Sequence, residues 1–231
     1  MNILLTGQPK SGKTTLLKKL VEDLNLKKGL FAEEIRRQGE RIGFEVVCSN
    51  GKKALLASID SESEIRVGKY GVEIESFEEL LNDLPELDED ETFYLDEIGQ
   101  MQLNSNKFKQ VVREYLDKTN TLVGTVSAVY ENEFIDEVRS RSDVFVVEIT
   151  PETREEKLNF IKELLGKIQK SRKYISEPER FSVDKDTVRL NSEHGQRVLR
   201  LRDGEWECNC DFYSKHSVCS HKMATDKLFA R

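Results

Sequence analysis

The sequence predicts an α/β fold, a core built on a mostly parallel sheet followed by a small metal-binding piece, and three observations predict it. An apolar run, Ile3-Leu4-Leu5, leads into a glycine-rich turn that opens an amphipathic helix over Thr15 to Val21. Between Thr92 and Ile149, strand-like and helix-like segments alternate as they do when crossover helices join parallel strands. Three of the four cysteines crowd together near the C-terminus beside a histidine.

The elements follow in order. Gly29 to Arg37 and Arg41 to Cys48 are β-like around Gln38-Gly39-Glu40, a hairpin turn, with Cys48 read as a core thiol. Beyond the turn at Asn50-Gly51, a stretch is broken by Gly68 and Gly71. Phe77 to Leu84 predicts a short helix ended by Pro85, and an acidic loop, Leu87 to Glu91, precedes the buried strand Thr92 to Leu95. Helix Asn104 to Asp117, strand Thr121 to Ser127, helix Asn132 to Arg139 and strand Val144 to Ile149 complete the alternation. Pro151 opens a long helix to about Lys170, with Thr150 as its N-cap. The expected domains are thus residues 1–170, a linker at 171–180 and a second domain at 181–231.

With 231 residues, 37% hydrophobic and 34% charged, the chain is long enough for one α/β domain plus an appendage. It has no apolar stretch of bilayer-spanning length, which excludes a membrane partner, and no secretory layout, so the cytoplasm is the expected compartment. From Ser171 onward there are 12 basic and 10 acidic residues, against 24 and 33 before it. Any contact with nucleic acid therefore belongs to the tail, because a phosphate backbone demands clustered positive charge.

Gly7-Gln8-Pro9-Lys10-Ser11-Gly12-Lys13-Thr14 fits the phosphate-loop pattern G-x-x-x-x-G-K-[ST], in which backbone N–H groups and a helix N-terminus receive a phosphate chain. All eight residues are candidate nucleotide contacts. The partner of such a loop is an acidic residue at the C-terminal end of another core strand. Phe93-Tyr94-Leu95-Asp96-Glu97 supplies it: Asp96 to hold Mg²⁺ in its outer shell while Thr14 ligates directly, and Glu97 to position or deprotonate a water. Lys13 provides charge for the transition state, and Arg141, ahead of Arg139, is the candidate arginine supplied in cis. Arg36 and Arg41 flank the hairpin turn, either as phosphate or base contacts or as the polar side of an exposed ribbon.

In the tail, Cys208-Asn209-Cys210, eight further residues and then Cys219-Ser220-His221 offer three thiolates and one imidazole. That is the ligand set of a closed tetrahedral Zn²⁺ site, structural because no coordination position stays open. His216 is an alternative imidazole at poorer spacing, and His194 lies in a turn.

Across residues 1 to about 170 the chain resembles the cancer-related nucleoside-triphosphatase family. The resemblance rests on the loop at Gly7 to Thr14, Gly29-Leu30-Phe31-Ala32-Glu33-Glu34-Ile35-Arg36, Gly39 with Arg41-Ile42-Gly43-Phe44, and Val67-Gly68-Lys69-Tyr70. It continues through Asp96-Glu97-Ile98-Gly99-Gln100-Met101-Gln102-Leu103 and Val138-Arg139-Ser140-Arg141-Ser142-Asp143. It implies a RecA-like, Rossmannoid core and Mg²⁺-dependent release of the γ-phosphate from several nucleoside triphosphates, ATP and GTP among them, with little base selectivity. The chain departs from the family pattern where Gly is replaced by Lys10, Lys by Gln100 and Glu by Gln102, and where Thr-Ile-His becomes Thr125-Val126-Ser127.

The tail resembles the SWIM zinc finger, C-x-C-x(n)-C-x-H. Strands Thr187 to Asn191 and Gln196 to Arg202 and a helix from Lys222 to Phe229, with Trp206 packed on it, fit its β-β-α layout. That resemblance implies binding of nucleic acid or protein. The primary reading is a nucleoside-triphosphatase with a tethering zinc module. The alternatives are a nucleotide-gated binding protein with vestigial hydrolysis and a nucleotide kinase.

Overall fold

The computed structural model describes residues 1–229. The chain divides into two compact units, Met1–Leu158 and Asn159–Arg231.

In the first unit, β1 (Asn2–Thr6) leads to α1 (Lys13–Asp23), then to a ribbon of β2 (Lys28–Arg37), β3 (Glu40–Cys48), β4 (Lys53–Ser58), β5 (Arg66–Val67) and β6 (Tyr70–Val72). There follow α2 (Ile74–Leu81), β7 (Thr92–Ile98), α3 (Asn106–Asp117), β8 (Thr121–Val126), α4 (Glu133–Ser140) and β9 (Val144–Glu148). Helix α5 (Arg154–Ser176) begins in this unit and ends in the second.

The sheet order is β5-β6-β4-β3-β2-β7-β8-β1-β9. Strands β2, β7, β8, β1 and β9 are mutually parallel, and β3 to β6 extend the sheet antiparallel. Parallel strands are covered on both faces and read as continuous apolar runs, as in Ile3, Leu4 and Leu5, each fully buried. Leu16, Leu17 and Leu20 give α1 its buried side, spaced for one helical face. Ser105 caps α3 through Phe108 N–H at 2.9 Å and Asn132 caps α4 through Phe134 N–H at 3.0 Å. Gln38 and Gly39, at φ 52° and 85°, make the two-residue hairpin turn whose twist matches its strands.

Several expectations need correction. The helix expected at Phe77 to Leu84 starts and ends earlier, at Ile74–Leu81, and β7 continues past Leu95 so that Asp96 and Glu97 lie in the strand. Pro151 lies in a turn and α5 starts at Arg154, because Thr150 and Thr153 exchange backbone-to-hydroxyl bonds that hold the preceding turn. The expected linker is helical to Ser176 and followed by a 3₁₀ turn, Pro178–Arg180. Its mixed charge resembles a linker but is also what a half-exposed helix carries, and Tyr174 within it is fully buried. The two compact units part at Leu158, inside α5.

The second unit holds an antiparallel sheet, β10 (Phe181–Asp184), β11 (Thr187–Ser192), β12 (Gly195–Arg202) and β13 (Glu205–Cys208), then α6 (Asp211–His216) and α7 (Ser220–Leu228). Two strands more than the β-β-α expectation are present, plus α6. Its core gathers Tyr174, Val188, Leu190, Leu199, Trp206 and Ala224 around the three cysteines. No helix of the described residues is long and apolar enough to cross a membrane.

Candidate functional site

β1 delivers the chain at the carboxyl edge of the parallel strands, and the loop that follows needs glycine twice. A Cβ at Gly7 would lie 2.3 Å from the Ile149 carbonyl oxygen, and Gly12, at φ 94°, caps α1 in the left-handed region. Ser11 N–H closes a turn onto Gln8 O at 3.1 Å, while Gln8, Pro9 and Lys10 are exposed, Lys10 at φ 68°. Lys13 Nζ donates to Gly7 O at 2.9 Å, folded over the loop. Ser11 Oγ is buried without a partner among the described residues, a donor left free inside a phosphate-binding turn.

The strand order puts β8 between β1 and β7, and the site crosses that gap. Thr14 Oγ1 donates to Asp96 Oδ1 at 3.1 Å across 82 residues of sequence. Thr125 Oγ1, from β8, donates to the same oxygen at 2.6 Å. Asp96 is 4% exposed, and burial pushes its carboxyl above the ordinary carboxylate range against the pull of the Thr125 and Thr14 hydroxyls. Glu97 is raised too, by burial first and then by the neighbouring Asp96 charge, with Lys13 opposing. Gly99 leaves room beside it: a Cβ there would approach Glu97 Cδ at 3.2 Å and Gln102 Oε1 at 3.3 Å.

The structure thus brings Lys13, Thr14, Asp96 and Glu97 together, and it takes Arg141 away. Arg141 pairs with Asp143 at 2.8 Å and Asp117 at 2.7 Å, and Asp143 O accepts from Asn2 N–H at the start of β1, the end opposite the loop. The Arg141 guanidinium is therefore a structural clamp. Arg36 and Arg41 both pair with Glu34 on the ribbon, and Arg41 also donates to the Tyr70 hydroxyl. Gln100 is exposed, Gln102 is buried, and Ser127 Oγ accepts from Tyr130 N–H. Thr125 was not among the expected site residues. A hydroxyl at the end of a buried strand beside the acidic one is the signal that marks it.

In the second unit, one ligand atom each from Cys208, Cys210, Cys219 and His221 lies within 4.8 Å of the others, all four residues buried. Cys210 Sγ caps α6 through Tyr213 N–H, and Cys219 Sγ caps α7 through Lys222 N–H, positions that favour thiolates. Within this set, hydrogen bonds from Cys208 and Cys219 hold the Cys210 thiol below its ordinary range, while Cys208 and Cys219 are themselves pushed up. A buried set of three soft sulfurs and one imidazole fits a tetrahedral zinc ion. His216 packs with its ring tilted against Phe160 and Phe212, outside this cluster, His194 is exposed, and Cys48 is buried in the first unit's core.

The family profile described as NTPase matches residues 2–162. The chain belongs to the NTPase family. Among its relatives, the nucleoside-triphosphatase THEP1 of Thermotoga sp. (strain RQ2) is 38% identical over 71% of this chain and 95% of its own length. The human cancer-related nucleoside-triphosphatase is 35% identical over 74% of this chain and 98% of its own length. The crystal structure of THEP1 from Aquifex aeolicus superposes with a TM-score of 0.65 at 36% identity, covering 71% of this chain and 99% of that one. The family match ends at residue 162, and the cysteine-rich end lies beyond it.

Proposed function

We propose that this NTPase-family enzyme hydrolyses nucleoside 5′-triphosphates to diphosphate and phosphate with Mg²⁺ and little base selectivity, and carries a structural zinc module that binds a macromolecular partner. The observation that carries the first part is the Thr14–Asp96 hydrogen bond at 3.1 Å, which joins the phosphate loop to the acidic strand. Thr14 and Asp96 would hold Mg²⁺, which when bound supplies positive charge to the β- and γ-phosphoryl oxygens. Lys13 swings from Gly7 O to the same oxygens, and the N–H groups from Lys10 to Thr14 orient the chain. Glu97 accepts the proton of the attacking water, a task suited by its raised affinity for protons. The β8 strand inserted between β1 and β7 supports a RecA-like core.

Phosphate release from a panel of triphosphates by wild type and Glu97→Gln tests this reading. Loss of about 10²- to 10⁴-fold in the variant, with nucleotide still bound, is expected for a general base. Equal rates favour a nucleotide-gated binder.

For the second unit, the buried Cys208, Cys210, Cys219 and His221 set supports zinc, and its match to the SWIM ligand spacing supports partner binding. One zinc per chain by atomic absorption, lost in Cys219→Ser, is the expected result. On the outer face of its sheet, Arg189, Arg200 and Arg202 share space with Asp184, Glu205 and Glu207, and Arg202 pairs with Glu207 at 3.3 Å. Such mixed charge supports a protein partner over a phosphate backbone. Stimulation of turnover by single-stranded or duplex nucleic acid would reverse that preference.

A further inference from the structure

With Arg141 clamped elsewhere, a different guanidinium stands beside the phosphate loop. The connection from β9 to α5 runs along that loop. Ile149 N–H donates to Thr6 O at 2.8 Å, the Ile149 carbonyl faces Gly7, and Arg154 lies against Gly12. A Cβ on Gly12 would come within 2.8 Å of Arg154 Nη1 and 2.9 Å of its Cδ. The placement is built in. Thr150 and Thr153 bond reciprocally at 3.2 and 3.3 Å just before Arg154, and Glu155 just after it grips Lys19 of α1 with both oxygens at 3.0 Å.

The Arg154 guanidinium makes no hydrogen bond or ion pair among the described residues, a state it shares with Arg139, whereas Arg36, Arg37, Arg41, Arg113 and Arg141 are each paired with a carboxylate. Arg154 is exposed, yet its guanidinium lies against a loop that is already positive. The N-terminus of α1 carries the positive end of the helix dipole, its first turn has no acidic residue, and Lys13 adds charge. A guanidinium against that end gains most when an anion is bound between them. Ser11 Oγ, buried and unpartnered in the same loop, points to the same missing acceptor.

We propose that Arg154 is a nucleotide-binding residue that grips the α-phosphate end of the triphosphate, an inference that rests on the loop holding a triphosphate as argued above. The strand order fixes which end. β8 and β7, with Asp96 and Glu97, lie on one side of β1, and β9, leading to Arg154, lies on the other. The reacting γ-phosphate faces the carboxylates, so the opposite flank of the loop meets the nucleoside end of the chain. The planar fork of donors matches two phosphoryl oxygens at once, a geometry lysine does not reproduce.

The test is calorimetric titration of ADP and a non-hydrolysable ATP analogue, with Mg²⁺, into wild type, Arg154→Ala, Arg154→Lys and Arg113→Ala, alongside steady-state phosphate release. Arg154→Ala should weaken ADP and the ATP analogue by a similar factor, about 10- to 100-fold, and raise KM likewise while kcat stays within about twofold. Arg154→Lys should recover part of the loss, and Arg113→Ala, at an exposed position on α3, should match wild type. Unchanged affinity in Arg154→Ala overturns the inference, as does a loss confined to the triphosphate with kcat falling, which would put Arg154 at the γ-phosphate. Wild type binding neither ligand would instead bring down the reading of the loop, and this inference with it.

Discussion

Replacing Thr125 by Val keeps the side chain's shape and deletes the hydroxyl that donates to Asp96 Oδ1 at 2.6 Å. Both residues are closed to solvent, Thr125 at 0% and Asp96 at 4% exposure, so no water takes the vacated place. A hydrogen bond to an ionised carboxylate contributes about 1.5–3 kcal/mol, a factor of roughly 10 to 150 in an equilibrium. Of the influences drawing the Asp96 carboxyl down, the Thr125 hydroxyl is the largest, so in its absence burial pushes the group higher still. The sign follows. A carboxyl raised in the folded state makes folding less favourable as pH climbs past its unfolded value, and Thr125→Val enlarges that loss, most fully above the folded value. Urea unfolding should therefore separate the variant from wild type by about 1.5–3 kcal/mol at pH 8 and by less at pH 5. Phosphate release should need about tenfold or more Mg²⁺ to reach half its maximum, because Asp96 is then less often charged and less well aimed. Identical unfolding at pH 8 together with an identical Mg²⁺ requirement would refute the view that Thr125 holds Asp96 in its working state.

Two further outcomes follow from the same structure. Arg141→Ala should leave turnover within about twofold of wild type and cost about 0.5–1 kcal/mol of stability by urea unfolding, since Asp117 and Asp143 are partly exposed and screened. In the second unit, hydrogen bonds from Lys173 and Lys170 lower the Glu193 carboxyl to about 2. Its stabilising contribution is present above the unfolded value and disappears as pH falls through about 2, so a carbon-detected NMR titration should show that midpoint in wild type. The midpoint should return toward the ordinary range when both lysines become Ala.

What could be seen along the chain was what depends on local pattern. The phosphate loop is legible because a strand, two glycines, a lysine and a threonine must be consecutive to cradle an anion, and the metal cluster because its ligands come as two close pairs. The hairpin at Gln38-Gly39 shows itself by turn chemistry. Less legible were β4, β5 and β6, strands of six, two and three residues that are too short to show a clear alternation. The segment from Ser171 to Ser176 has the composition of a linker, yet Ser171 and Tyr174 are buried and Ile175 packs on the same core, while Lys173 faces water.

By itself, then, the sequence determined the α/β class, the loop, the acidic pair and the cysteine–histidine set. Tertiary structure alone decided which residues share space. It set Thr125 on Asp96, placed Arg154 against Gly12, and carried Arg141 to the far end of β1. The physical reason is that a parallel sheet orders its strands by packing and crossover geometry, not by succession, so neighbours at its carboxyl edge are remote in the chain and leave no mark on local spacing.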